Sequence, residues 1–211
     1  MTVTSTNKSR VSTPRTHATS SPAAFFQGKR RPSPLQQGTL DGLCSIYSII
    51  NAVRLLHEQA LNPRIAFDLF VILFDKLSAR LGPSESLCRG AEPADLRTLL
   101  RHTQKILREQ TDLPISISRI KLDARRRRLD VVWSTLRKHF DDGAVAIIGL
   151  EGFHAHWTVG YRATAKTIRL FDSGGLRVLT RRHCSLRSDR RRHHLIPEDI
   201  FIVSRGRRKR T

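Results

Sequence analysis

Residues 36–56 read QQGTLDGLCSIYSIINAVRLL, and this stretch governs the reading of everything after it. Cys44 follows a glycine-containing turn and opens a run with apolar residues at Ile46, Ile49, Ile50, Val53 and Leu56. Spacings of three and four return to one face of an α-helix, so the segment predicts an amphipathic helix with Cys44 in its first turn. Unsatisfied N–H groups and the positive end of the helix dipole lie there, and both favour a thiolate over a thiol. A glutamine just upstream, Gln36 or Gln37, can aim its amide N–H at the oxyanion that forms when a thiolate attacks a carbonyl. Taken alone, Cys44 reads more readily as a buried core cysteine. The surrounding pattern turns the reading toward a nucleophile.

A nucleophile needs a base. Residues 143–175 read GAVAIIGLEGFHAHWTVGYRATAKTIRLFDSGG. A short apolar run (144–150) precedes alternation through Trp157, Val159 and Tyr161, then again through Ile168 and Leu170. Two strands joined across Arg162–Lys166 are the expectation. A hairpin centred near Thr164 opposes residues whose numbers sum to 328, which pairs His156 with Asp172. Directly opposed antiparallel residues have Cβ atoms roughly 4.5–5.5 Å apart. A carboxylate at that range holds an imidazole in one tautomer and steadies its charged form. His154 lies two residues earlier on the same strand face; His156 is preferred because Asp172 opposes it and Trp157 then packs on the other face. Asp172 also suits the start of an Asp-Ser-Gly-Gly turn, a role compatible with orienting the histidine.

In this order — Gln, Cys on a helix N-terminus, a distant His-Trp on a strand, an Asp at the next strand end — the chain resembles the papain-like cysteine peptidases. The bacterial peptidase C39-like branch is the nearest likeness. The resemblance covers roughly residues 35–203, with specific motifs only around these residues. It implies an α+β fold, a helical half carrying the cysteine packed on a C-terminal antiparallel sheet. It also implies a Cys44 nucleophile, a His156 base, an Asp172 orienting acid and Gln37 or Gln36 at the oxyanion, with no cofactor. The chain departs from the family pattern in two ways. The glutamines stand eight and seven positions before Cys44, one or two further than is usual, and Ser45 replaces a frequent glycine. The same triad serves acyl transfer and deamidation, so these activities accompany peptide or isopeptide hydrolysis as alternatives.

The formal net charge of +20 makes charge-driven association with nucleic acid, acidic proteins or anionic surfaces an expectation. A basic nucleic-acid-associated module with a vestigial triad is the rival of a different class. Few aromatics interleave with the arginines, which argues against stacking on single strands. The clusters at 125–128, 181–182 and 190–192, with His193 and His194, read as solvated surface. Cys44, Cys88 and Cys184 form no CxxC and no close pair, so neither a disulfide framework nor a zinc site is indicated, and a reducing, cytoplasmic setting is expected. No apolar run has the length of a membrane span.

Residues 1–34 contain no acidic residue and are rich in Ser, Thr, Pro and Arg. They predict a flexible tail, in a composition shared with transit peptides and with export signals of bacterial effectors. Residues 205–211 read as a second, basic tail, leaving one domain over 35–204. Within it, Asn62-Pro63 and Glu92-Pro93 predict helix starts, running to about Arg80 and Gln110. A further helix is expected over Asp130–Phe140. An extended edge is expected at Ile115–Ile120, and strands at about 144–150, 155–162, 166–172, 176–180 and 199–204. Helices first and antiparallel strands after is an α+β pattern.

Overall fold

The helix that Cys44 opens runs over Cys44–His57 (α1) in a computed structural model of the chain, which describes residues 32–207 except 124, 126, 153, 154 and 188. All five apolar positions of its stripe are buried, and so are Ser45, Ser48 and Asn51. A helix enclosed on so many sides belongs to the core, which fixes its axis and therefore the position of its first residue.

Three helices follow. Asn62 caps α2 (Pro63–Leu81), its Oδ1 accepting from Ile65 N at 2.9 Å. Gly82, at φ +85°, ends α2, and Pro83 immediately starts a short α3 (Pro83–Arg89) that the sequence reading does not contain. The Gly-Pro pair is therefore both a stop and a start, because Pro is well suited to the first helical position. A reciprocal capping box between Glu92 and Asp95 opens α4 (Pro93–Gln110). The last helix, α5 (Leu129–Asp141), buries Val132, Trp133, Leu136 and Phe140.

Among the described residues seven strands make one sheet: β1 (Ile115–Arg119), β2 (Val145–Gly152), β3 (His156–Ala163), β4 (Thr167–Leu170), β5 (Val178–Thr180), β6 (Cys184–Ser185) and β7 (His193–Arg205). The order is β1-β7-β2-β3-β4-β5 with antiparallel neighbours, and β6 alone runs parallel to β7. The fold is α+β. Val145, Ile147, Trp157, Val159, Phe201 and Val203 pack with α1, α2 and α4, whereas Ala146, Ile148, Leu150, Ile200 and Ile202 pack with α5. Burial on both faces explains why 144–150 is a continuous apolar run. No helix among the described residues is long and apolar enough to cross a membrane.

Three readings need correction. The strand expected at 199–204 extends over His193–Arg205; its first half was hidden because Pro197, Glu198 and two histidines interrupt any alternation. His193 is accordingly buried, paired with Gly152 on one side and Cys184 on the other, and is not a solvated surface residue. Arg205 pairs with Ile115 as the last residue of β7, so the basic tail starts after it. Residues 1–31 and 208–211 of the expected tails lie outside the described residues, as does His154.

The hairpin register also differs. β3 and β4 pair as Ala163↔Ile168 and Arg162↔Arg169, then, past a bulge, as Gly160↔Leu170. The turn closes with Thr164 N on Thr167 O at 2.8 Å. It is centred beyond Thr164, so His156 and Asp172 are not opposed on the ladder. β4 ends at Leu170, and Gly174 in the following turn packs on the imidazole: a Cβ on Gly174 would lie 3.4 Å from His156 Cε1.

Candidate active site

A short loop sets the position of Cys44. Asp41 organises it, accepting from Gly38 N at 2.9 Å through Oδ2 and from Leu43 N at 3.1 Å through Oδ1. Gly42 N donates to Leu87 O at 2.5 Å, which ties the loop to α3. Gly90, at φ +70°, sits against the same place, and a Cβ there would run into the Gly42 carbonyl oxygen. The Gly42–Gly90 contact was illegible in the sequence, since nothing marks two glycines so far apart as neighbours. Leu43 gives α1 no side-chain cap, and the Cys44 thiol lies 3.8 Å from Gly42 O.

His156 begins β3 and Asp172 follows the end of β4. Their side chains meet with His156 Nε2 2.7 Å from Asp172 Oδ1. Oδ2 of the same carboxylate accepts from Gly174 N and Leu176 N, each at 2.9 Å. Asp172 thus nucleates the Asp-Ser-Gly-Gly turn with one oxygen and holds the imidazole with the other. Its side chain is 1% exposed, against 18% for His156. Burial raises the Asp172 pKa, but the hydrogen bond and charge of His156 outweigh it and the carboxyl lies below its ordinary value. For His156, burial works against the charged ring. Hydrogen bonds and charge from Asp172 and Cys44 prevail and raise its pKa to about 10. With Nε2 committed to Asp172, Nδ1 is the ring nitrogen left for the Cys44 thiol.

The glutamines reach the site differently. Gln37 N donates to Ser173 O at 3.1 Å, and its side-chain Nε2 donates to Asp41 O, in the loop just before Cys44. Gln36 Nε2 instead approaches Pro34 O and Asp172 O, each at 3.4 Å. An amide nitrogen carries two protons, so Gln37 keeps one N–H beyond that to Asp41. Asn51 of α1 anchors the residue just before the glutamines: it accepts from Leu35 N at 2.8 Å and donates to Leu35 O at 3.1 Å. Tyr47 packs edge-on against Phe70, with ring centroids 5.5 Å apart. Both contacts fix α1 against its surroundings.

Two cavities meet at His156. One, of about 140 Å³, is lined by Cys44, Glu92, Pro93, Glu151, Trp157 and Asp199 among others. The other, of about 640 Å³, is lined by Gln36, Gln37, Gly174, Gly175 and Arg192. Leu150, Ala155 and His156 line both, so an extended chain can cross from one to the other over the Cys44–His156 pair. Trp157 walls the smaller cavity, its Nε1 donating to Ala91 O at 2.9 Å. Ser45 is fully buried and lines neither cavity, so it does not crowd an approaching chain. All three cysteines are free. Cys184 is buried, and burial, only partly opposed by Arg191, pushes its thiol up to about 12; Cys88 is exposed. A thiol and an imidazole held by a carboxylate line one cavity, and the glutamine amides line the cavity that adjoins it at His156. No protein-family model, curated protein or solved structure matches this chain.

Proposed function

We propose that the chain is a papain-like cysteine peptidase, hydrolysing a peptide or isopeptide bond through Cys44, His156 and Asp172. The observation that carries the proposal is the His156 ring itself. It is held by Asp172 at 2.7 Å on Nε2, and it lines one cavity together with Cys44. That is the arrangement by which a base activates a nucleophile while a third group orients the base.

In the proposed reaction the Cys44 proton passes to His156 Nδ1, and the sulfur electron pair forms a C–S bond to the substrate carbonyl. The carbonyl π pair moves onto oxygen, where Gln37 Nε2–H and the Cys44 backbone N–H stabilise it. As the oxyanion collapses, the C–N bond breaks and His156 gives its proton to the leaving amine. Water, deprotonated by His156, then attacks the thioester, and Cys44 leaves as the thiol after recovering that proton. Asp172 stays ionised throughout and keeps the imidazolium favourable. Gln37 is preferred to Gln36 because its amide is drawn to Asp41, beside the nucleophile, whereas Gln36 turns to the Asp172 carbonyl.

Incubation with peptide electrophiles and with ubiquitin-like C-terminal electrophiles tests the proposal. Covalent capture at Cys44 by either class, lost in His156→Ala, supports it. Intact chain with both classes argues against it. Added primary amines report the acyl-transfer alternative through stable amide products.

A further inference from the structure

The chain carries 38 Lys and Arg against 18 Asp and Glu, so a surface drawn at random from it is cationic. The small cavity beside Cys44 departs from that bias. Three carboxylates line it, Glu92, Glu151 and Asp199, with one guanidinium, Arg89. Arg89 is occupied by Glu85 at 2.8 Å, one helical turn before it. Glu92 is engaged as the helix cap of α4. Glu151 and Asp199 have no ion-pair partner among the described residues.

Asp199 is half-buried on β7, and burial is the chief influence raising its carboxyl pKa. The charges of Arg119 and, less strongly, Arg97 oppose this without bonding the carboxyl, and the nearby Glu198 and Glu151 add to it. Arg119 is itself spent on the Glu198 carbonyl oxygen, to which Nε donates at 3.0 Å. A carboxylate withdrawn from water without a bonded cation is costly to keep. With Arg89 and Glu92 already engaged, a cation delivered by the substrate removes that cost.

The cavity's size limits what the cation is. A volume of about 140 Å³ is close to that of an engineered cavity of about 150 Å³ that holds a single benzene ring. One side chain fits, and a folded domain does not. Trp157, Pro93, Leu150 and Ile196 also line the cavity, and apolar wall beside carboxylates suits the methylene stem of a long basic side chain with a charged end.

Resting on the peptidase reading above, we propose that the substrate is a peptide with an arginine or lysine next to the scissile bond, its side chain seated in this cavity against Glu151 and Asp199. Specificity then comes from charge within a basic protein whose outer surface repels the same residue. The larger cavity, which Arg192 lines, takes the rest of the chain.

The test uses the full chain and internally quenched peptides carrying one arginine, each matched to the same peptide with citrulline, which keeps the shape and removes the charge. The arginine peptide is expected to show kcat/KM higher by about tenfold or more at one position flanking the cleaved bond, the order of a hydrogen bond to a charged group. That ratio falls toward one in Asp199→Asn and falls in part in Glu151→Gln, where the exposed position leaves the fold intact. A purely structural role for either carboxylate leaves the ratio unmoved. Cleavage with no arginine preference at any position, or a preference that survives both variants, overturns the inference and leaves the peptidase standing. Cleavage of no peptide, with Cys44 unreactive, overturns the peptidase reading and the inference with it.

Discussion

The carboxylate of Asp172 serves two structures at once: Oδ1 holds His156 Nε2 at 2.7 Å, and Oδ2 takes the N–H groups of Gly174 and Leu176 at 2.9 Å. The turn that follows β4 is therefore built on the same side chain that holds the His156 imidazole. Any movement of that turn is felt at the imidazole, and Gly174, packed against His156, leaves little slack.

Replacing Asp172 by Asn keeps an oxygen for the turn and removes the charge from the imidazole. Peptide turnover in Asp172→Asn is expected to fall by about 10²-fold or more, the usual scale of impaired acid–base catalysis. Circular dichroism should show an unchanged fold. Turnover within twofold of wild type would remove Asp172 from the mechanism.

The glutamines separate by their partners. Gln37→Ala should lower kcat by about 10²–10³-fold with a small change in KM, as loss of one oxyanion donor does. Gln36→Ala should cost far less, since its amide serves the Asp172 carbonyl. The reverse ranking, read from steady-state kinetics of both variants, would transfer the oxyanion role to Gln36.

His156 should titrate well above an ordinary histidine. Its folded pKa, about 10, is raised above its unfolded value. The stability this contributes is complete below the unfolded pKa and is lost as pH rises through about 10. Asp172 runs the other way: its lowered pKa contributes stability present above the ordinary carboxylate range and lost as pH falls through the folded value. The pair accordingly favours the fold most between these limits. NMR titration of the His156 ring should show a raised midpoint that drops in Asp172→Asn and in Cys44→Ala. A midpoint at the ordinary histidine value in the wild type would rule out the coupled pair.

Much of the architecture was legible in residues 36–56 and 143–175 because their periodicities are strong. The five buried positions of α1, the caps at Asn62 and Glu92, and the doubly buried strand 144–150 each follow from local pattern. What escaped depended on geometry that local pattern does not carry. The β3–β4 turn is centred beyond Thr164, so His156 and Asp172 meet by side-chain reach and not as opposed residues. The first half of β7 was masked by Pro197 and its charged neighbours. Gly90 gave no sign of touching Gly42, nor Asp199 of lining the cleft beside Cys44, because each meets its partner only through the tertiary fold.

The Gly42–Gly90 contact makes its own prediction. Gly90→Ala both strains a left-handed residue and pushes on the loop that seats Cys44. Thermal unfolding should show a loss of about 1–3 kcal/mol, accompanied by slower capture of Cys44 by a peptide electrophile. Full stability and full reactivity would mean that the loop position is not set by this contact.

The most direct test of the central claim is site-resolved alkylation by iodoacetamide at neutral pH, with each cysteine quantified by peptide mass spectrometry. The chain supplies its own controls, since Cys88 is exposed and Cys184 is buried with its thiol pushed up to about 12. Cys44 should react about tenfold or more faster than Cys88, despite being less exposed, and lose that advantage in His156→Ala, while Cys184 stays unmodified. Alkylation of Cys44 no faster than Cys88, or a rate indifferent to His156→Ala, would contradict the account.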